Sequence, residues 1–141
     1  MYYDESNRGK IQNPERGKQL IDYSGIKYGK ITPTDIDGYI EYHNKAYIFY
    51  EYKFGNAQMP NGQRKALERL VDRLKTEAEA VLLVCQHNTE ASDEINGAEA
   101  LVRWVYYRGK WYSENQGRSV KQVSDAFINM IDKGDLNNPN N

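Results

Sequence analysis

The sequence predicts an α/β domain in which a mixed β-sheet is flanked by helices, and three observations carry that expectation. Residues 39–52 are dense in β-branched and aromatic side chains, as strands are. Residues 66–78 set apolar side chains at the spacing of one helical face. Directly after them comes AVLLVC, residues 80–85, the unbroken run of a strand buried on both faces once a helix has crossed back over a sheet. A chain of 141 residues has room for one domain. Neither a repeat nor a linker rich in Pro, Gly or Ser divides it. Residues 1–134 therefore read as one domain, and residues 135–141, with four asparagines, as a disordered tail.

Taken in order, Asn13, Pro14 and Glu15 have the form of an N-cap, a first-turn proline and a first-turn acid, with Gly25 as the stop. That predicts a short first helix, weakened by Gly17. Ile40 and Tyr42, then Tyr47 to Tyr52, predict two strands joined tightly through His43, Asn44 and Lys45. After a loop at 55–62, the apolar positions Ala66, Leu67, Leu70, Val71, Leu74 and Ala78 predict the second helix. Residues 100–107 and 111–113 form a second hairpin turning at Arg108, Gly109 and Lys110. Ser119 and Gln122 have capping-box spacing, and Val120, Val123, Phe127 and Met130 give the last helix its apolar stripe. The order is α, β-hairpin, α, β, β-hairpin, α.

Composition narrows the function classes. Hydrophobic residues at 39% and charged residues at 28% fit a globular fold rather than a disordered or membrane-embedded one. The longest aliphatic run is far short of the roughly 20 residues that span a bilayer. The N-terminal MYYDESNRGK lacks the apolar segment of a secretory signal, so the expected location is the cytoplasm. Cys85 is the single cysteine, which excludes an intramolecular disulfide and a Cys-based zinc site; its place in an apolar run predicts a buried small hydrophobe. A formal charge of −1 removes the argument from a generally basic chain and leaves local clusters to meet phosphate. Arg64, Lys65, Arg69 and Arg73 share one helix, where a solvated face is the commoner state. Arg103, Arg108 and Lys110 interleave with Trp104, Tyr106, Tyr107, Trp111 and Tyr112, a pattern that offers stacking platforms beside phosphate contacts, or packing and a dimer interface. The candidate nucleic-acid contacts are Arg64, Lys65, Arg108 and Lys110.

The first hairpin carries the chemistry. A turn centred on Asn44 pairs Tyr39 with Phe49 and sets Asp37 opposite Glu51. Directly opposed side chains lie about 5 Å apart, and like charges there are destabilising unless a cation compensates. Alternation puts Lys53 on the same face as Glu51. A slip of one residue would send Asp37 to the other face, so the constellation requires an odd-numbered turn. Oxygen ligands suit Mg²⁺ or Mn²⁺, and Mg²⁺ is usually held jointly by carboxylates and substrate phosphate, which points to phosphodiester hydrolysis. Plainer roles stand beside these: Asp35 and Asp37 as strand-start residues, Glu15 as a helix-dipole acid, Gln63 as a helix starter, His43 as an exposed turn residue and His87 as a structural one.

The segment TDIDGYIEYHNKAYIFYEYK, residues 34–53, resembles the core of the PD-(D/E)xK nuclease superfamily, in which an Asp opens a β-hairpin and acid-x-Lys closes it. Acid-x-Lys alone arises by chance in a chain this rich in acids and lysines; the weight lies on its coincidence with Asp37 and with Gln63 opening an amphipathic helix. Thr34 follows Pro33 where a literal Pro-Asp would stand. The resemblance implies a restriction-endonuclease-like αβββαβ core, here with a C-terminal β-hairpin and helix added. It implies catalytic roles for Asp37, Glu51, Lys53 and Gln63. It also implies an Mg²⁺ or Mn²⁺ site built from Asp37, Glu51 and the Tyr52 carbonyl, completed by an acid of the first helix, Glu15 or Asp22. The expected activity is endonucleolytic cleavage of DNA, including branched or single-stranded intermediates of repair, recombination or phage DNA processing. The expected cell is then a bacterium or a phage-infected host. A homodimer would supply two sites for two strands. The rivals are a catalytically silent member of the superfamily serving as a nucleic-acid or protein-binding module, such as an anti-defence protein, and an RNase with the same site.

Overall fold

The computed structural model of the protein describes residues 20–136. The chain divides into two compact units, Met1–Thr34 and Asp35–Asn141. In the first, residues 20–34 are irregular. Tyr28 and Ile31 form an isolated antiparallel bridge, and Gly29 between them takes the left-handed φ of 64° that glycine adopts without strain. The helix predicted to stop at Gly25 does not reach it, because residues 20–25 are not helical. Asp22 supplies the physical reason: its Oδ1 accepts the Ser24 N–H at 2.9 Å, a local turn that competes with helix. Positions 13–19 of that predicted helix lie outside the described residues.

The second unit runs β1 (Gly38–Tyr42), β2 (Ala46–Phe54), α1 (Asn61–Leu74), β3 (Glu79–His87), β4 (Leu101–Tyr107), β5 (Lys110–Ser113) and α2 (Val120–Leu136). It is an α/β fold whose five strands lie side by side in chain order as one open sheet. The sheet is mixed: β2 and β3 are parallel, joined by the α1 crossover, and the other neighbours are antiparallel. Two strands precede α1, and the third that an αβββαβ order requires has no counterpart among the described residues. α2 continues to Leu136, two residues into the stretch read as tail; residues 137–141 lie outside the description. No helix among the described residues is long and apolar enough to cross a membrane.

The period-two alternation of β2 and β3 sends side chains to two cores. Ile48, Val81, Leu83, Cys85 and Val102 pack against Val120 and Val123 of α2 on one face. Phe49, Ala80, Leu82, Val84 and Tyr106 pack against Leu67 and Val71 of α1 on the other. β3 is buried on both faces, as its aliphatic run requires. The predicted capping box is present at α2: Gln122 N–H donates to Ser119 Oγ at 3.1 Å, and Ser119 N–H donates to Gln122 Oε1 at 2.9 Å.

The β1–β2 register pairs Tyr39 with Phe49 and Tyr42 with Ala46, the one that a turn centred on Asn44 requires. His43 and Asn44 take φ of 51° and 60°, a left-handed pair that these two residue types tolerate better than most. Lys45 N–H closes the turn onto the Tyr42 carbonyl at 2.9 Å, and Asn44 N–H donates to Glu41 Oε2 at 2.6 Å.

Candidate active site

The backbone ladder of the first hairpin stops at Gly38, one residue short of Asp37. Side chains take over from it. Asp37 N–H donates to Glu51 Oε1 at 3.2 Å, and Tyr52 N–H donates to Asp37 Oδ2 at 2.7 Å. The two carboxylates are thereby held side by side at the end of the hairpin. Glu51 is 1% exposed and is the one fully buried charged residue among those described.

Gln63, in the first turn of α1, links the remaining groups. Its Nε2 donates to Glu51 Oε2 at 3.0 Å, and its Oε1 accepts from Lys53 Nζ at 3.3 Å. Reversing the amide would aim donors at an ammonium and an acceptor at a carboxylate, so the network itself fixes its orientation. Lys53 Nζ also lies 3.8 Å from Glu51 Oε2, with the lysine side chain 21% exposed. Asp37, Glu51, Lys53 and Gln63, which the sequence singles out, thus form one connected group.

Burial pushes the Glu51 carboxyl up to about 7, and the charge of Asp37 adds to the rise; the Asp37 N–H bond and the Lys53 ammonium oppose it. The carboxyl therefore sits near half-ionisation at neutral pH, where a buried acid beside a second acid is expected. Beneath the site Cys85 is fully buried, and its thiol is pushed up to about 12, first by burial and then by Asp37 and Glu51. Cys85 is buried, as predicted.

Among the described residues no group of three or more His, Cys, Asp or Glu could hold a metal ion. What the hairpin offers is a pair of hard carboxylate oxygen donors, one of them raised by burial first and by its neighbour's charge second. That fits Mg²⁺ or Mn²⁺ shared with water and phosphate, and does not fit zinc. Asp22 belongs to the first unit, and Glu15 lies outside the described residues.

On the Lys53 side the sheet opens into a cleft of about 570 Å³ whose lining includes Lys53, Arg64, Gln86, Arg103, Trp104 and Trp111. Of the candidate nucleic-acid contacts, the structure brings Arg64 here. Lys65 is exposed on α1 and does not line the cleft. Arg108 and Lys110 sit at the far end of the second hairpin; Trp104 and Arg108 are separated by four strand steps, roughly 13 Å. Arg108 is engaged there by Glu79 at 3.0 Å and lies over the Tyr107 ring at 5.1 Å. His43 stays in the turn, and His87 Nδ1 accepts the Thr89 N–H at 3.3 Å while its ring packs on Phe54, so neither joins the site.

Arg103 and Trp104 come to the cleft for a reason the sequence does not display. The β3–β4 register shifts between Val84, paired with Trp104, and Cys85, paired with Val102, leaving Arg103 unpaired in a β-bulge. Comparison of the chain with protein-family models, with characterised proteins and with solved structures finds no match.

Proposed function

We propose that this protein is a divalent-metal-dependent nuclease that hydrolyses phosphodiester bonds in DNA, acting through Asp37, Glu51, Lys53 and Gln63. The observation that carries the reading is the pair of carboxylates held together where the hairpin ladder ends, with a lysine and a glutamine bonded into the same group. The resemblance of residues 34–53 to PD-(D/E)xK nucleases supports it, as does the run of hairpin, helix and parallel strand.

Asp37 and Glu51 would hold Mg²⁺ or Mn²⁺ with the Tyr52 carbonyl, which leaves the strand on the same edge as the Tyr52 N–H bonded to Asp37. When bound, the ion supplies charge neutralisation at a phosphoryl oxygen and acidifies a water. The protein's own part is distinct. Glu51 must be ionised to act as a ligand, and Lys53 and the Asp37 N–H both favour that form. Gln63 keeps the Glu51 carboxylate from rotating out of register. Lys53, partly exposed, turns its ammonium toward the charge that develops on the transferred phosphoryl group.

A second reading has its own observation. Among the described residues no fully buried side-chain polar atom lacks a hydrogen-bond partner. The Glu51–Gln63–Lys53 network is thus closed without an ion, as a catalytically silent binding module of the same fold would require. One assay separates the readings. Pure protein is incubated in Mn²⁺ with linear, single-stranded and four-way DNA and with RNA. The nuclease reading expects cleavage of DNA that is lost in Asp37→Asn and Glu51→Gln proteins with unchanged circular dichroism. Cleavage of RNA alone moves the assignment to an RNase, and cleavage of nothing supports the silent module.

A further inference from the structure

The bulge in β4 builds a feature that the hydrolytic group does not use. In a regular strand Arg103 and Trp104 would point to opposite faces. Here Val102 and Val105, three positions apart, both belong to the α2-side core, while Arg103 and Trp104 between them both line the cleft on the α1 side. An extra residue in one strand has this effect: it re-aims a side chain that alternation would have sent elsewhere.

Across the sheet Glu51 pairs with Val84, and Val84 pairs with Trp104. Trp104 is therefore two strands from Glu51 on the same face, roughly 10 Å away at ordinary strand spacing. The two tryptophans of the cleft differ. Trp111 lies tilted against Tyr106, ring centroids 5.1 Å apart, and donates Nε1–H to Glu68 Oε2 at 2.9 Å, so its polar edge is satisfied within the fold. Trp104 is 49% exposed, an indole left open to solvent. Three cations share the cleft lining with it, Lys53, Arg64 and Arg103. Arg64 makes a long contact of 3.9 Å with Glu68. Arg103 has no carboxylate partner among the described residues, although the whole chain carries a net charge of −1.

We infer that this cleft is a binding subsite for an unpaired nucleotide: a base of single-stranded DNA stacks on the Trp104 indole, and Arg103 and Arg64 meet the flanking phosphates, with Lys53 left to the reacting one. This rests on the nuclease reading for the identity of the strand, and it specifies the substrate form. An indole stacks on a base whose face is free, and in a duplex both faces of every internal base are covered by neighbours. The cleft volume of about 570 Å³ lies in the range that accepts a ligand of nucleotide size. Adjacent nucleotides of one strand would span from Trp104 to the Glu51–Lys53 group.

The test is fluorescence anisotropy of labelled oligothymidylate against the whole protein in EDTA, with a blunt duplex of equal length as competitor. The proposal expects the single strand to bind more tightly than the duplex. Trp104→Ala should weaken binding about tenfold, Trp104→Phe should restore most of that loss, and Arg103→Gln should reduce the slope of log K against log salt by about 0.7. Equal affinity for the duplex, or unchanged affinity in Trp104→Ala, overturns it. Should Trp104→Ala fail to fold, the Arg103→Gln salt slope and the duplex comparison decide alone. Cleavage in Mn²⁺ is read separately on the same oligonucleotide. Binding that depends on Trp104 without any cleavage defeats the nuclease reading and leaves the subsite standing; cleavage indifferent to Trp104 does the reverse.

Discussion

Glu51 Oε1 accepts the backbone N–H of Asp37 at 3.2 Å, so the residue that opens the first hairpin is bonded directly to the carboxylate that closes it. This contact holds an exposed acid, Asp37, against a buried one, Glu51, which is 1% exposed. The arrangement costs stability when both are charged, and most of the measurable consequences follow from that cost.

The pH dependence of stability has a defined sign. The Glu51 carboxyl is raised in the folded protein from 4.5 to about 7, by burial first and by Asp37 second. Between those values the folded state holds a proton that the unfolded state has released, so stability falls as pH rises through that window and levels off above it. In metal-free protein, Glu51→Gln should flatten this dependence. Thermal melts in EDTA across the pH range check it; a wild-type melting temperature that climbs from pH 5 to pH 8, with the Glu51→Gln protein climbing in parallel, would contradict it.

Metal binding should carry the same proton. Because Glu51 must be ionised to act as a ligand, the apparent affinity for Mn²⁺ is expected to fall up to tenfold per pH unit below about 7 and to be flat above it. Calorimetric titration in buffers of different ionisation enthalpy reads the proton release directly. In Glu51→Gln protein that release should vanish.

Gln63 tests the positioning network. Its amide donates to Glu51 Oε2 at 3.0 Å and accepts from Lys53 Nζ at 3.3 Å. Gln63→Ala removes both bonds and leaves a buried carboxylate oxygen short of a partner, a loss of about 1 to 3 kcal/mol. On the proposed function it should also lower kcat in Mn²⁺ more than it raises KM. Lys53→Ala should lower kcat by roughly 100-fold or more, since it removes the cation facing the reacting phosphate. Equal activity in Lys53→Ala and wild-type protein would remove Lys53 from the machinery.

The fold supplies predictions that do not involve the site. Leu67 of α1 is 1% exposed in the core against the sheet, and Leu67→Ala should cost about 2 to 5 kcal/mol in a denaturant titration. Ser119→Ala breaks the α2 capping box, at about 1 kcal/mol.

Much of this architecture is legible in the residues because alternation and helical spacing are strong local signals. The register of Tyr39, Phe49 and Glu51 follows from asking that Asp37 and Glu51 share one face, which only an odd-numbered turn at His43–Asn44–Lys45 allows; no local turn signal specifies it, and the observed register has that turn. Leu67 and Val71 declare α1 by their spacing, and Ser119 with Gln122 declare the start of α2. What could not be read is set by tertiary geometry. A one-residue bulge carries no compositional mark, so the run from Arg103 to Tyr112 reads as one interleaved pattern, whereas the bulge turns Arg103 to the same cleft as Trp104 and the length of the strand carries Arg108 and Lys110 to a distant hairpin tip. The Asp22–Ser24 turn likewise overrode the helical pattern leading to Gly25, because a short side-chain bond competes with a helix that Gly17 already weakens.

The central claim is that the Asp37 and Glu51 carboxylates bind a divalent ion. A crystal of the protein soaked in Mn²⁺ at pH 8, with anomalous diffraction recorded at the manganese edge, tests it most directly. The expected result is one anomalous peak between the two carboxylates, absent in an Asp37→Asn crystal treated identically. A wild-type crystal that diffracts well and shows no peak there, with the Glu51–Gln63–Lys53 bonds unchanged, would contradict it.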